Sequence, residues 1–348
     1  MVFRDRILKQ QPDSAGSYYD GLSLRQIMVV LVHYVYFRDL EHRAERELAK
    51  ALGYQDDDAE KAGREHWQPI AYKDIDPNVD AKKLKKLGLE ILQPVAGDLH
   101  PNKNAPRLAI VLRGTLPLPQ YLRDFGSDAK IALEILTRSK RVMECQKLIL
   151  KVIKDFLSRG GSQNQICMAG HSLGAAIALL VGKELVYAHG IHIDTHLFNP
   201  PLLTFASIAS GELSQISLSR RSLRTSKMKL DAEWEKFKKL LDWIPHFYLN
   251  PSDIICLQYI RYYEKQHEVL TEENVEKSKQ ARITRQPLKF FKKDVNIISN
   301  VVPSADVWIS RKYKSNPVLA HSLKQWHQDP ESADIRLEFQ PRPIVGEW

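Results

Sequence analysis

The apolar positions of this chain fall into two regimes. From Ile27 to Phe37 (IMVVLVHYVYF) they are nearly continuous. Just upstream, Ser23-Leu24-Arg25-Gln26 has the spacing of a capping box, in which serine and glutamine side chains satisfy the orphan amides of a helix start. The pattern predicts a helix from there to about Leu52, apolar almost all round in its first half and dense in charge from Arg38 to Lys50. Gly53 stands where a helix often stops. Such a helix is an N-terminal arm packed on something larger. Residues 55–80 are polar and charged, carry Pro69 and Pro77, and read as a connecting segment.

From about Leu89 short apolar runs alternate with helical periodicity, the pattern of an α/β fold with a largely parallel sheet. The runs Leu108 to Leu112, Gln165 to Ala169, Thr195 to Phe198, Ile244 to Leu249 and Ile254 to Ile260 predict strands. Between the first two, apolar residues at Ile131, Ile135, Val142, Ile149, Val152, Ile153 and Phe156 predict a long helix over about Ser127 to Ser158, ended by Gly160-Gly161. The organisation expected is an N-terminal helical arm and connecting segment over residues 1–80, followed by one α/β domain over 81–348.

Composition narrows the classes. The 348 residues are 43% apolar and 27% charged, which suits a folded core and excludes a disordered chain. The Ile27 to Phe37 run is about half the ~20 residues of a membrane span. The first sixteen residues, MVFRDRILKQQPDSAG, lack the apolar stretch and small-residue cleavage site of a secretory signal. Three cysteines, Cys145, Cys167 and Cys256, show no metal-ligand spacing and suit a reducing compartment, so a cytoplasmic protein is expected. The net charge of +9 favours anionic surfaces. Its clusters, Lys82 to Lys86, Arg220 to Lys229, Lys236 to Lys239 and Lys289 to Lys293, come with no nucleic-acid-binding signature, and solvated faces are the better reading.

The chemistry lies in Ile166-Cys167-Met168-Ala169-Gly170-His171-Ser172-Leu173-Gly174-Ala175-Ala176, an apolar strand, then G-x-S-x-G, then a helix rich in small residues. That context makes the motif a nucleophile elbow. Gly170 and Gly174 let strand and helix backbones approach around a strained turn, and Ser172 is thereby presented at the sheet's edge. His171 fills the variable position, and the Leu173 amide at the helix start can face a developing oxyanion.

With these residues in view, the sequence resembles the class 3 (fungal-type) lipase family of the α/β-hydrolases, particularly its plant intracellular branch. The resemblance spans roughly Leu108 to His327 and rests on three patches: the Gly170 to Gly174 elbow, the strand Ile110-Val111-Leu112-Arg113-Gly114-Thr115 ending in Arg-Gly-Thr, and the turn Asn250-Pro251-Ser252-Asp253-Ile254. It implies an α/β-hydrolase fold, with Thr115 joining Leu173 in the oxyanion hole and Asp253 as the triad acid. Asp253 follows an apolar run and a proline turn, which puts it at a strand's carboxyl end with Ser172; Asp194 precedes its strand and belongs at the opposite edge. Hydrolases of this fold run Ser, then acid, then His along the chain. Among His267, His321 and His327, the late-loop placement favours His321, with His327 as the alternative.

Two departures stand out. Phe198-Asn199-Pro200-Pro201 replaces the Gly-Ser-Pro-like turn usual in the family, and about Phe205 to Trp243 forms a basic insertion with scattered apolar residues. The insertion is either a lid that meets lipid and anionic head groups or a set of packed cap helices. The reading is a serine carboxyl-ester hydrolase of lipid metabolism, a lipase or esterase. It acts on an acyl ester, a lipid by resemblance, through Ser172, Asp253 and His321 and an acyl-enzyme, without metal or organic cofactor. Acyl transfer on the same triad and an inactive binding scaffold are the alternatives.

Overall fold

The computed structural model describes residues 21–40, 43–51, 56–70, 76–95, 102–114, 140–201, 239–253, 255–257, 259–260, 263, 302, 304–311, 316–327 and 334–337. Eight strands form one sheet in chain order: β1 (Trp67–Pro69), β2 (Leu89–Pro94), β3 (Leu108–Leu112), β4 (Ile166–His171), β5 (Asp194–Phe198), β6 (His246–Leu249), β7 (Asp306–Ser310) and β8 (Asp334–Leu337). β3 to β7 pair in parallel, whereas the β1–β2, β2–β3 and β7–β8 pairings are antiparallel. This is the largely parallel α/β sheet expected from the alternation of elements, and it is consistent with the α/β-hydrolase fold that the resemblance implies.

Chain-order parallel strands joined by right-handed crossovers place every connecting helix on one face. Beyond α4 (Ala81–Leu87), which precedes β2, the crossovers α5 (Lys140–Ser158) and α6 (Leu173–His189) pack there with Ile110, Met168, Leu197 and Phe247. The opposite face, with Ala109, Val111, Cys167, Ala169, Phe198 and Tyr248, needs another cover. It is supplied by α1 (Leu24–Asp39), whose Ile27 to Val32 are 0% exposed. α3 (Asp57–His66) packs on α1 from the other side, so an apolar surface all round α1 is what its position requires.

The N-terminal expectations change in two respects. The capping box is formed, Ser23 N–H to Gln26 Oε1 at 2.9 Å and Gln26 N–H to Ser23 Oγ at 3.4 Å. The helix, however, ends at Asp39, with Leu40 extended, and α2 (Arg43–Ala51) is separate. Its polar end is tied to the sheet: Arg38 pairs with Glu90 at 2.9 Å and Asp39 with Arg113, while Leu40 is buried. Residues 55–80 are also more than a connection. They contain α3, capped by Asp56 on the Asp58 and Ala59 amides, and β1, the sheet's first edge. α3 buries Ala59, Ala62 and Gly63, small residues that leave little hydrophobic signal; a Cβ on Gly63 would stand 2.6 Å from Tyr34 Cγ.

The strand expected over Ile254 to Ile260 is absent among the described residues, where Leu257, Tyr259 and Ile260 are helical. Asp253 caps this turn, its Oδ1 accepting from Ile255 N at 3.0 Å, and Cys256, Tyr259, Ile260 and Tyr263 bury at helical spacing. The helix expected from Ser127 is seen as α5 from Lys140, and residues 127–139 lie outside the described set, as do 202–238 of the insertion. No described helix is long and apolar enough to cross a membrane.

On α6, a Cβ at Gly182 would come within 2.3 Å of Trp243 Cζ2, and that indole is held by its N–H bond to Ile193 O at 3.0 Å. Gly182→Ala gains roughly 1 kcal/mol of helix propensity. Forcing the Trp243 ring aside costs about 1–3 kcal/mol. A net loss of stability is expected, read as a lower urea midpoint with an unchanged m-value.

Candidate active site

β4 ends at His171, and the next residue carries the backbone strain expected of an elbow. Ser172 has φ 53° and ψ −127°, a region costly for any residue but glycine. The turn holds because both neighbouring backbones fit only glycine. A Cβ on Gly170 would lie 2.5 Å from Gly174 O, and one on Gly174 only 2.2 Å from Leu112 O. Ser172 N–H donates to Phe198 O at 2.9 Å, which locks the elbow to β5, and Leu173 opens α6. Ser172 is half-buried at the carboxyl edge of the parallel strands.

Asp253 and His321 arrive at the same edge from the ends of β6 and β7. Asp253 follows the turn after β6, and His321 follows the short helix α7 (Pro317–Ala320) beyond β7. They meet at 2.6 Å between Asp253 Oδ2 and His321 Nδ1, both side chains 1% exposed. A carboxylate at Nδ1 assigns the proton there, which makes Nε2 the basic nitrogen of His321. Burial pushes the Asp253 carboxyl up, but His321, the Asn199 amide and the Ile255 N–H outweigh it and hold the group below the usual carboxylate range.

His321 reaches the elbow through its own backbone. His171 lies against it, with ring centroids 4.9 Å apart, and His171 Nε2 is 2.8 Å from His321 O. The other nitrogen, Nδ1, is 2.9 Å from the hydroxyl of Tyr36 on α1, and that hydroxyl also accepts from Gly114 N–H at 2.9 Å. One assignment satisfies every atom: Gly114 N–H donates to Tyr36 Oη, Tyr36 O–H to His171 Nδ1, and His171 Nε2–H to His321 O. Burial first, then the neighbouring His321, push the His171 imidazole well below its ordinary value, so it stays neutral as this chain requires. Gly114 is the contact point of the Arg-Gly strand end with the elbow, since a Cβ there would be 2.9 Å from Ser172 Cβ. Its amide is committed to Tyr36, and of the two expected oxyanion donors Leu173 is the one among the described residues. Thr115, the expected second donor, lies outside the described residues.

Sequence reasoning missed the residue that braces the acid. Asn199 has φ 47°, a left-handed conformation that asparagine tolerates. Its Nδ2 donates to Asp253 Oδ2 at 2.6 Å and Ala320 O at 3.1 Å, and its Oδ1 accepts from Trp326 Nε1 at 2.6 Å. Gln325 completes the brace, donating to Ala320 O at 2.6 Å and accepting from Asn250. The only sequence signal was the Asn-Pro-Pro departure itself.

The alternatives fall elsewhere. His327 packs on His33 of α1, ring centroids 4.9 Å apart, where burial and then His33 push it down to about 3. His267 lies outside the described residues. Asp194 stands at the start of β5, at the opposite edge of the sheet, 3.3 Å from His196 Nε2 and 3.2 Å from His246 Nε2.

Residues 109–219 match the family described as lipase (class 3). A GDSL esterase/lipase of Arabidopsis thaliana is 24% identical over 256 residues, 67% of this chain and 69% of that protein. The likeness is to the class 3 lipases, over the third of the chain that carries the elbow. Among solved structures, the extracellular lipase LipA of Serratia marcescens is 16% identical, with 51% of this chain and 36% of that one covered and a TM-score of 0.31. An esterase of Pyrococcus furiosus is 14% identical, covering 59% and 87%, with a TM-score of 0.27. The chain thus spans about a third of the Serratia lipase, and most of the Arabidopsis protein. The enzyme class that the family match and the esterase/lipase relative support is carboxylic ester hydrolase. The matched segment carries the elbow and ends before Asp253 and His321.

Two outcomes are expected. Tyr36→Phe strands the Gly114 amide and His171 Nδ1, and it lowers unfolding stability by about 1–3 kcal/mol. Asn199→Ala removes a donor that favours ionised Asp253, so that group's folded pKa rises toward the unfolded value near 3.9. A depressed carboxylate stabilises the fold above its unfolded pKa and ceases to as pH falls through its folded one. The variant therefore has less of this acid-range stabilisation to lose. Plotted against pH, the wild type's advantage in urea midpoint is largest near neutrality and shrinks below about pH 4.

Proposed function

We propose that this chain hydrolyses acyl esters by nucleophilic catalysis at Ser172. His321 Nε2 takes the hydroxyl proton as Ser172 attacks the ester carbonyl, and Asp253 keeps the imidazole in the required tautomer and stabilises its charged form. The Leu173 amide, with Thr115, holds the oxyanion. The imidazolium gives its proton to the departing alcohol. Water, deprotonated by His321, then releases the acid from the acyl-enzyme.

The single observation that carries this reading is the buried 2.6 Å Asp253–His321 pair, joined through His171 to a strained serine elbow. A structural ion pair has no use for a positive φ at the neighbouring serine, whereas a nucleophile needs to stand clear of its strand. A lipid acyl ester is the substrate we favour, on the family match and on the esterase/lipase name of the Arabidopsis relative. The basic, partly apolar insertion at about 205–243 is the segment we assign to contact with an anionic lipid surface, and the cytoplasm remains the proposed compartment.

A fluorophosphonate probe should label the wild type and leave Ser172→Ala unlabelled. With p-nitrophenyl butyrate, Ser172→Ala and His321→Ala should each lose at least about 10³-fold in kcat, and Asp253→Asn on the order of 10⁴-fold. Emulsified glycerolipid should be turned over as well as the soluble ester. Turnover of short soluble esters alone would remove the lipid assignment, and a folded wild type that neither labels nor hydrolyses would make the chain a binding scaffold.

A further inference from the structure

The edge of the sheet opposite Ser172 holds a second constellation of chemically capable side chains. Strand alternation puts Cys167, Asp194, His196, His246, Tyr248, Asp306 and Trp308 on the face that α1 covers, and the pairings His196 with His246 and His246 with Asp306 set them in one row. Asp194 Oδ1 sits 3.3 Å from His196 Nε2 and 3.2 Å from His246 Nε2. The donor atoms of Cys167, Asp194 and His196 lie within 4.8 Å of one another.

From this arrangement we infer a structural divalent-metal site, with Cys167 Sγ, Asp194 and His196 as its ligands and His246, which meets the same Asp194 oxygen, as the side chain that completes it. The spacing is the first argument. Four donors about 2.0–2.3 Å from a tetrahedral zinc are separated from one another by roughly 3.3–3.7 Å, and Asp194 Oδ1 already stands near that distance from each imidazole Nε2. The second argument is the shell behind them. His246 Nδ1 lies 2.9 Å from Asp306 Oδ2, a carboxylate that also accepts from Trp308 Nε1 at 2.9 Å, and His196 Nδ1 lies 2.9 Å from Tyr248 Oη. Nδ1 contacts to such partners leave both Nε2 atoms facing Asp194 Oδ1, the outer half of a carboxylate–histidine–metal arrangement. Thirdly, the cluster is buried, and Asp194 Oδ1 meets the two imidazoles at ion-pair distance, with Asp194 Oδ1 and His196 Nε2 left without an aligned hydrogen bond that a shared metal would replace.

Sulfur, two imidazoles and one carboxylate are a donor set for zinc rather than for magnesium or calcium. Access is present: a cavity of about 380 Å³ opens onto Cys167 and Asp194 between Asn104, Arg107 and Gln165. The metal would draw the thiol proton off Cys167 into solvent and tie β4, β5 and β6 together, far from the serine. It takes no part in ester cleavage.

The test uses the purified full chain, stripped with chelator and titrated with zinc chloride by calorimetry. One equivalent should bind and raise the melting temperature, and Asp194→Asn and His196→Gln should each weaken binding at least tenfold while keeping the far-ultraviolet spectrum. Cobalt(II) in the wild type supplies a readout independent of any variant's folding: intense visible bands with a thiolate charge-transfer band support the site. Absence of stoichiometric zinc, binding unaltered by both substitutions, or cobalt spectra without the thiolate band overturns it and leaves an ion-pair network only. Fluorophosphonate labelling of Ser172 reports separately on the proposed catalysis.

Discussion

One bare sheet face governs the architecture. Parallel strands laid down in chain order carry their crossover helices on a single side, and a sheet buried on one face only would leave Val111, Ala169, Phe198 and Tyr248 in water. The N-terminal helix α1 removes that problem, and its capping residues are fastened to the last described loop: Gln26 Nε2 donates to His327 O at 2.8 Å and Arg25 Nε to Trp326 O at 3.3 Å. The guanidinium of Arg25 also lies over the rings of Tyr248 and Trp326, 5.1 and 5.4 Å from their centroids. What looked like an appended arm closes the core.

The same helix reaches the chemistry. Tyr36 is about three turns along the helix from those anchors and delivers one hydroxyl to two places that must stay still, the Gly114 amide beside the elbow and the His171 imidazole beneath His321. Burial makes this arrangement stiff. A buried donor or acceptor deprived of its partner costs more than a hydrogen bond gains, so each member of the chain holds the next in a single tautomer. Asn199 does for Asp253 what His171 does for the His321 backbone. The proposed triad thus rests on two polar braces, one from α1 and one from the turn after β5.

The two edges of the sheet differ in how they use titratable groups. At the carboxyl edge one carboxylate faces one imidazole, and the surrounding donors all point at the acid. At the amino edge two carboxylates flank two imidazoles, and the donor atoms point at each other. The first arrangement suits moving a proton; the second suits holding a cation.

Local sequence determined a good deal here. The capping box, the strand Leu108–Leu112, the elbow with its two glycines, and the placing of Asp253 and Asp194 at opposite edges of the sheet by position relative to an apolar run were all legible, because each depends on neighbours within a few residues. The α3 segment was not, since its buried face is alanine and glycine and carries almost no hydrophobic period. Nor was the turn after Asp253, where Cys256, Tyr259, Ile260 and Tyr263 mimic a strand in a short window and resolve into a helix only with Asp253 as cap. Tertiary structure alone decided that Tyr36, Asn199 and Trp326 belong to the site, and that Asp194, His196 and His246 share one point. Those contacts join residues far apart in the chain, and cross-strand register and helix docking, which bring them together, leave no spacing in the linear sequence.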